Sequence, residues 1–455
     1  MALRGQGTTP RDLAGTGLTA ALAEISCGVA YEDLPTDVVE IARHALLDWL
    51  GVTLAGSREE LTEILTRTVL RDERAGAATL VGRAERAAPL PAALINGTAS
   101  HALDFDDVNA GFMGHVSVAM LGAALALGEE IDASAGDLIA AYAAGYEVAC
   151  RIAAAIGPEP YRRGFHQTGT VGTFAAAGAC ARLLGLDRPA TATALGLAAS
   201  QAAGCKCNFG TMAKPLHAGK ACENGLLSAQ LAAGGFTADR TAIEAERGFA
   251  QLCDGGCDVS AALAAPPSGW YVRDNLFKYH ASCFFTHSML EGLGQLRAGH
   301  GPVPDRIERV YIHVSELELG TCAIAEPATA LEVKFSLAHL AAMTLLGRST
   351  SSISDDDAID PAVVALRSRV VLVADGESGA PTRVEIARAG ERLAAERDVN
   401  APERDLAAQA RRLEAKFRVL AIPVLGADAA ERLLATVLRL ERDRPVPELM
   451  ALSRG

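Results

Sequence analysis

From about Leu18 to Ala265, apolar residues return every three or four positions, and the breaks between such stretches are short turns of Gly, Pro or Asp. A period near 3.6 sustained over that length is met by helices packing on one another. The spacing predicts helices over Asp37–Ala55, Glu59–Leu70, Asp137–Ile156, Gly172–Leu184, Ala190–Ala203 and Lys220–Ala233. Asp187, ahead of Arg188-Pro189, marks a helix start, with the proline tolerated in a first turn. Many of these helices are rich in Ala and Gly, so their axes can approach closely. With 455 residues, half of them apolar and 21% charged, the chain can bury a large core, and general disorder is excluded.

The texture changes at Ala264-Ala265-Pro266-Pro267-Ser268-Gly269. Beyond it, Arg306–Ser315 alternates β-formers with polar residues, and Ser368–Ala374 is a β-branched run. Pro381–Ala387 reads as its hairpin partner, with Asp375-Gly376 among the turn residues. Leu331–Gly347 reads as one helix, and helical sequence resumes after Pro402, with Lys416 on an ordinary surface-type helix. The expected fold is mainly α. A large helical body (1–265 plus 400–455) carries a smaller inserted α+β lid (266–399), with a cleft between the two where polar sites commonly lie.

Charge narrows the function classes. The net charge of −13, with no Lys/Arg-rich run of five or more, argues against nucleic-acid and membrane-surface roles. Stretches such as Leu121–Leu127 and Val171–Ala179 are too short, or too rich in Ala and Gly, to span a bilayer. The first residues show no apolar core of a secretory leader, and the ten cysteines are scattered, so a soluble cytoplasmic protein is expected. Only six of the 42 Lys plus Arg residues are lysines: Lys206, Lys214, Lys220, Lys278, Lys334 and Lys416. A GC-rich genome accounts for that bias, yet each remaining lysine marks a position that kept an ammonium.

Four constellations could carry chemistry. His101-Ala-Leu-Asp104-Phe-Asp106-Asp107, followed by Gly114-His115-Val116-Ser117, is the densest polar cluster. If it is helical, Asp104 and Asp107 share a face with His101 one turn earlier. It could hold a metal, serve acid–base chemistry, or simply cap a helix end. His166, in Gly164–Thr170, precedes an apolar helix whose N-terminus suits an anion. Cys205–Lys220 contains Lys206, Lys214 and His217 in loop segments before a helix expected near Lys220, where a lysine could bind a carboxylate or move a proton. Its Cys-x-Cys, like Cys253-x-x-x-Cys257, lacks ordinary zinc-knuckle spacing. Last, Phe277–His287 gathers Lys278, Tyr279, His280, Cys283 and His287. No convincing nucleotide-binding fingerprint occurs.

Together these residues resemble a family. HALDFDDVN with GH-x-S, GYEV at 145–148, GFHQTGTVGTF, NFGTMAKPLHAGKA, Phe277-Lys278 with His287, and EVKFSLAHLAA are similar, in order and over nearly the whole chain, to the MmgE/PrpD family. The resemblance implies a helical domain with an α+β lid, a homodimer, no metal or organic cofactor, and a small polycarboxylate substrate. Position by position, it implies a catalytic set of Asp104, His115, His166, Lys214 and Lys278. It adds a substrate shell that includes Cys283, His339, Tyr146 and His217. Lys214 and Lys278 would then bind carboxylates while His115 and His166 handle protons.

The sequence departs from the family pattern at Val108, Val116, Cys283 and His339, where threonine, proline, a second lid histidine and a tyrosine are usual. These changes weaken a cis-aconitate decarboxylase reading and leave 2-methylcitrate itself open. The leading expectation is a lyase that eliminates from a di- or tricarboxylate through a carbanion- or enediolate-like state. The alternatives are an epimerase of a dicarboxylate such as iminodisuccinate, and a non-catalytic helical dimer.

Overall fold

The computed structural model describes residues 17–71, 76–253, 256–301, 307–377 and 379–455. The first sixteen residues, where a leader was sought, and Arg306, at the start of an expected strand, lie outside them. The fold is mainly α with a small sheet. In the body, α1 (Thr36–Gly56), α2 (Pro89–His101), α3 (Val116–Glu130), α4 (Ala135–Ile156), α5 (Thr170–Leu183) and α6 (Ala213–Ala233) pack into one continuous core. Helix α4 is long and apolar enough to cross a bilayer, but 94% of that stretch is buried inside the protein.

Small residues set the spacing of these helices. A Cβ at Gly97 of α2 would stand 2.9 Å from the Cα of Gly219 on α6, and one at Gly219 would come within 2.3 Å of the Leu94 carbonyl. Neither position admits a side chain, so α2 and α6 touch backbone to backbone. That contact brings the C-terminal end of α2 beside the first turn of α6. Helix α6 begins at Ala213, seven residues before the expected start near Lys220, because Pro215 falls in a first turn where no N–H is needed. Lys214 therefore sits on a helix rather than in a loop.

The lid has its own core, built on α7 (His287–His300), α8 (Leu337–Leu346) and a four-stranded sheet. In chain order its strands are β1 (Ile307–His313), β2 (Val370–Val373), β3 (Thr382–Arg388) and β4 (Glu391–Arg397), and their spatial order is β2-β1-β3-β4. The expected hairpin between the second and third of these runs does not form. Strand β2 pairs in parallel with β1, and the hairpin partner of β3 is β4, whose charged sequence hid it. The single helix expected over Leu331–Gly347 is broken after Val333, and Ser336 caps α8 by accepting the His339 N–H.

Two features set the lid, and the chain that follows it, against the body at the site. Val108-Asn109 pairs antiparallel with Asn275-Leu276, which sets Lys278 beside the acidic segment. Helix α9 (Leu406–Leu425) returns to pack on α1, and a Cβ at Gly51 would meet the Phe417 ring at 3.2 Å.

Candidate active site

The acidic segment is not helical. Helix α2 ends at His101, and Asp104 turns the chain with φ of 50°, a left-handed conformation that Asp tolerates better than most residues. The turn replaces the expected helical face with a buried knot in which donor atoms of His101, Asp104, Asp106 and His115 lie within 4.8 Å of one another. Such a group could hold a cation by ligand type. Two ammoniums already occupy Asp104, however, and would repel one.

Lys278 is fully buried and donates to the Asp104 carbonyl (2.8 Å), to Asp104 Oδ1 (2.6 Å) and to the Ser282 carbonyl (2.9 Å). Lys214 Nζ lies 3.0 Å from Asp104 Oδ2. Burial alone would raise the Asp104 carboxyl, but the two ammoniums outweigh it and hold the group well below the usual range. The same balance leaves Lys278 above its ordinary value: burial pulls it down, and Asp104 with Asp106 pulls it up further.

Asp106 joins two imidazoles. His115 Nδ1 is 2.6 Å from its Oδ2, and His101 Nδ1 is 2.9 Å from its Oδ1. The His101 contact is a hydrogen bond, whereas His115 makes a close contact through Nδ1 and holds its Nε2 3.6 Å from Asp104 Oδ1. Burial drives both imidazoles below their ordinary value, His101 to about 3, so both are neutral near pH 7. His166 also falls well below its ordinary value, first through burial and then through the Lys214 ammonium. Its Nδ1 meets His217 Nδ1 at 3.0 Å, while its Nε2 has no hydrogen-bond partner.

His115, His166, Lys214 and Cys283 line a cavity of about 260 Å³ between body and lid. The other expected residues are placed differently. Asp104 and Lys278 form its floor support, and all three Lys278 N–H donors are engaged, so that ammonium does not reach the cavity. His217 backs His166. Tyr146 is buried in the body, where its hydroxyl donates to Asn275 Oδ1 at 2.9 Å. His339 lies within the lid core, its Nε2 against the Asp357 carbonyl and its Nδ1 facing Arg367. Neither of these last two is brought to the cavity, because the helix positions that carry them face the packed cores. Cys283 does line it, and its thiol is held below the ordinary value chiefly by a hydrogen bond with Cys322.

Sequence reasoning passed over Asp106 and His101 as site members, although the His-x4-Asp cluster carried the signal. It also placed Lys416 on a surface-type helix. Lys416 is instead buried, donates to the carbonyls of Phe105 (2.6 Å) and Lys278 (2.9 Å), and pairs with Asp48 at 2.6 Å. Lys334 is buried nearby and donates to the Ala102 carbonyl; burial lowers it to about 8. Four of the six lysines thus surround the 102–107 turn or its contacts.

Comparison with known proteins matches a family model of the MmgE/PrpD N-terminal domain to residues 20–262 and one of the MmgE/PrpD C-terminal domain to residues 280–442. The cis-aconitate decarboxylase of Aspergillus terreus (strain NIH 2624 / FGSC A1156) is 28% identical over 355 residues, covering 73% of this chain and 72% of that protein. Its Homo sapiens counterpart is 28% identical over 373 residues, covering 78% and 76%. The cis-aconitate decarboxylase-like protein oryM of Aspergillus oryzae is 27% identical over 479 residues, covering 96% and 97%.

Proposed function

This chain belongs to the MmgE/PrpD family, and on that premise we propose that it is a lyase acting on a small polycarboxylate without an organic cofactor. The observation that carries the reading is the sharing of one cavity by the Lys214 ammonium and two neutral imidazoles, His115 and His166, above a buried, ionised Asp104. Lys214 binds a carboxylate and stabilises the charge that builds on it as the adjacent C–H bond breaks. His115 Nε2 takes that proton, and Asp106 fixes the ring by accepting its Nδ1–H. The electron pair forms the new double bond. A departing hydroxyl takes the Nε2 proton of His166, which acquires it as the substrate carboxylate enters and returns to the neutral imidazole as water leaves.

Relatives named as cis-aconitate decarboxylases support lyase chemistry in the broad sense. Val108 and Cys283, two of the departures from the family pattern, both line this cavity, which argues against carrying decarboxylation itself over from those relatives. The test is incubation with 2-methylcitrate, cis-aconitate and iminodisuccinate in deuterated water, followed by ultraviolet absorption and proton NMR. A new conjugated double bond or released carbon dioxide is expected. Deuterium uptake without either would move the assignment to an epimerase, and inertness toward all three would overturn it.

A further inference from the structure

The cavity is chemically lopsided. The body supplies His115, His166 and Lys214, with Arg162 at the rim, its side chain 58% exposed and facing Glu159 at 3.8 Å. Among the described residues, the lid adds no Lys, Arg or His to the lining. Its one ionisable group besides the Cys283 thiol is Glu318, whose carboxylate accepts from the Ser315 N–H and Oγ–H at 2.6 and 2.8 Å. The remaining surface includes the uncharged Asn109, Ser288, Thr382 and Asn400, but its larger share is apolar, with Tyr161, Phe209, Phe284, Phe285, Leu317 and Phe335. Phe209 and Phe335 stand 5.3 and 5.1 Å from the Lys214 ammonium, so aromatic surface begins immediately beyond the charged floor.

A substrate with carboxylates at both ends would bury one of them against phenyl rings and beside Glu318. An unpaired buried carboxylate costs several kcal/mol. Hydrocarbon in the same space gains free energy for each methylene removed from water. Resting on the polycarboxylate lyase reading, we propose that the substrate carries its acid groups at one end and a hydrocarbon substituent of several carbons at the other. The acid groups meet Lys214, His115 and His166, and the substituent lies against Tyr161, Phe284, Phe285 and Leu317. The lid, together with Tyr161 of the body, selects for an apolar tail while His115, His166 and Lys214 do the chemistry.

A series of 2-alkylcitrates with methyl, butyl and hexyl substituents tests this, with binding followed by titration calorimetry and turnover by absorbance. Affinity should rise about two- to fourfold per methylene until the cavity is full, at a stoichiometry of one per chain. Leu317→Arg should reverse the preference, weakening the hexyl compound at least tenfold and strengthening citrate. Affinity that stays flat or falls from methyl to hexyl in the unaltered protein overturns the proposal, whether or not the variant folds. Tighter binding with chain length but no turnover would overturn the lyase reading and leave this one standing. Turnover of the methyl compound with a penalty for longer chains would do the opposite.

Discussion

Lys278 places its ammonium 2.6 Å from one oxygen of Asp104, and the second oxygen of that carboxylate is held by Lys214 at 3.0 Å. Only Lys214 reaches the cavity, so the two lysines divide the work. Lys278 makes it possible to keep Asp104 ionised in the interior, and Asp104 orients the ammonium that, on the proposed lyase reading, meets substrate. Replacing Lys278 with Met strips a buried carboxylate of one counter-charge and one hydrogen bond, and deprives the Asp104 and Ser282 carbonyls of their donor. The expected loss is on the order of 3–5 kcal/mol of folding stability, read from denaturant midpoints. Combining Lys278→Met with Asp104→Asn should recover part of it, since the uncompensated charge is then gone. A single variant within 1 kcal/mol of the parent would be incompatible with this account.

Lys214 tests the catalytic half of the pair. Lys214→Met should lower turnover by at least the 10²–10³-fold typical of losing one charge-stabilising donor, with the circular dichroism spectrum unchanged. Lys214→Arg should not restore it. A guanidinium spreads its charge over a fork, and the space between Phe209, Phe335 and Asp104 fits a compact ammonium. Unaltered turnover in the Met variant would remove Lys214 from the machinery.

Asp106 does not line the cavity and acts through His115, which makes it a positioning residue. Asp106→Asn keeps the shape but offers one acceptor and one NH2 group to two imidazole nitrogens. One ring must then turn over its tautomer, and if it is His115, Nε2 becomes protonated and can no longer act as the base. The expected result is a fall in kcat of about 10²–10⁴-fold with little change in KM. A merely structural role would move KM and stability together and leave the pH profile of kcat unshifted.

How much of this could be read in the sequence depends on what each residue's neighbours are. The helical body was legible because its period is local and its apolar face repeats many times. His115, His166 and Lys214 were legible as a set because the motifs that carry them resemble those of a known family in order. The hairpin of β3 with β4 was not, because Glu391–Arg397 is mostly polar at a sheet edge and reads as loop. Lys416 was misplaced for a related reason. Its partners, Asp48 and the carbonyls of Phe105 and Lys278, lie 138 residues or more away in sequence. No helical pattern distinguishes a lysine that snorkels to solvent from one that pins two distant backbones.

Asp107 offers a pH test of the same buried region. Its carboxyl is raised to about 7 against an ordinary 3.8, first by burial and then by the nearby Asp48 charge, although Ser117 and Asn275 donate to it at 2.6 and 2.7 Å. Here the sign is opposite to that of a salt-bridged acid. Between pH 4 and 7 the unfolded chain has released this proton and the folded protein keeps it, so stability declines as pH rises through that window. Asp107→Asn cannot ionise and should lose most of the decline, leaving the smaller slope due to Asp48, itself raised to about 6. Denaturant midpoints at pH 4, 5, 6, 7 and 8 measure it. Parallel curves for parent and variant would show that Asp107 does not titrate in this range.

The charge balance of the empty site leads to the last expectation. Around the knot, Lys214 and Lys278 pair with Asp104, Asp106 meets two neutral imidazoles and Lys334 is charged nearby, so about one positive charge faces a substrate that brings two or three carboxylates. An entering carboxylate adds negative charge to a desolvated space. The cheapest compensation is a proton on an imidazole that burial has depressed but that a new anion lifts back. His166 fits this best: its Nε2 is unpartnered, it lines the cavity, and no carboxylate already holds it. Binding should therefore take up protons near pH 7, where the free ring is neutral, and the uptake should fade below the free ring's lowered value. Titration calorimetry of 2-methylcitrate in buffers of different ionisation enthalpy reads the number directly. His166→Gln should abolish the uptake while leaving measurable binding through Lys214. If protons are released instead, or if the uptake survives that substitution, the compensation lies elsewhere in the cavity and His166 is not the acid.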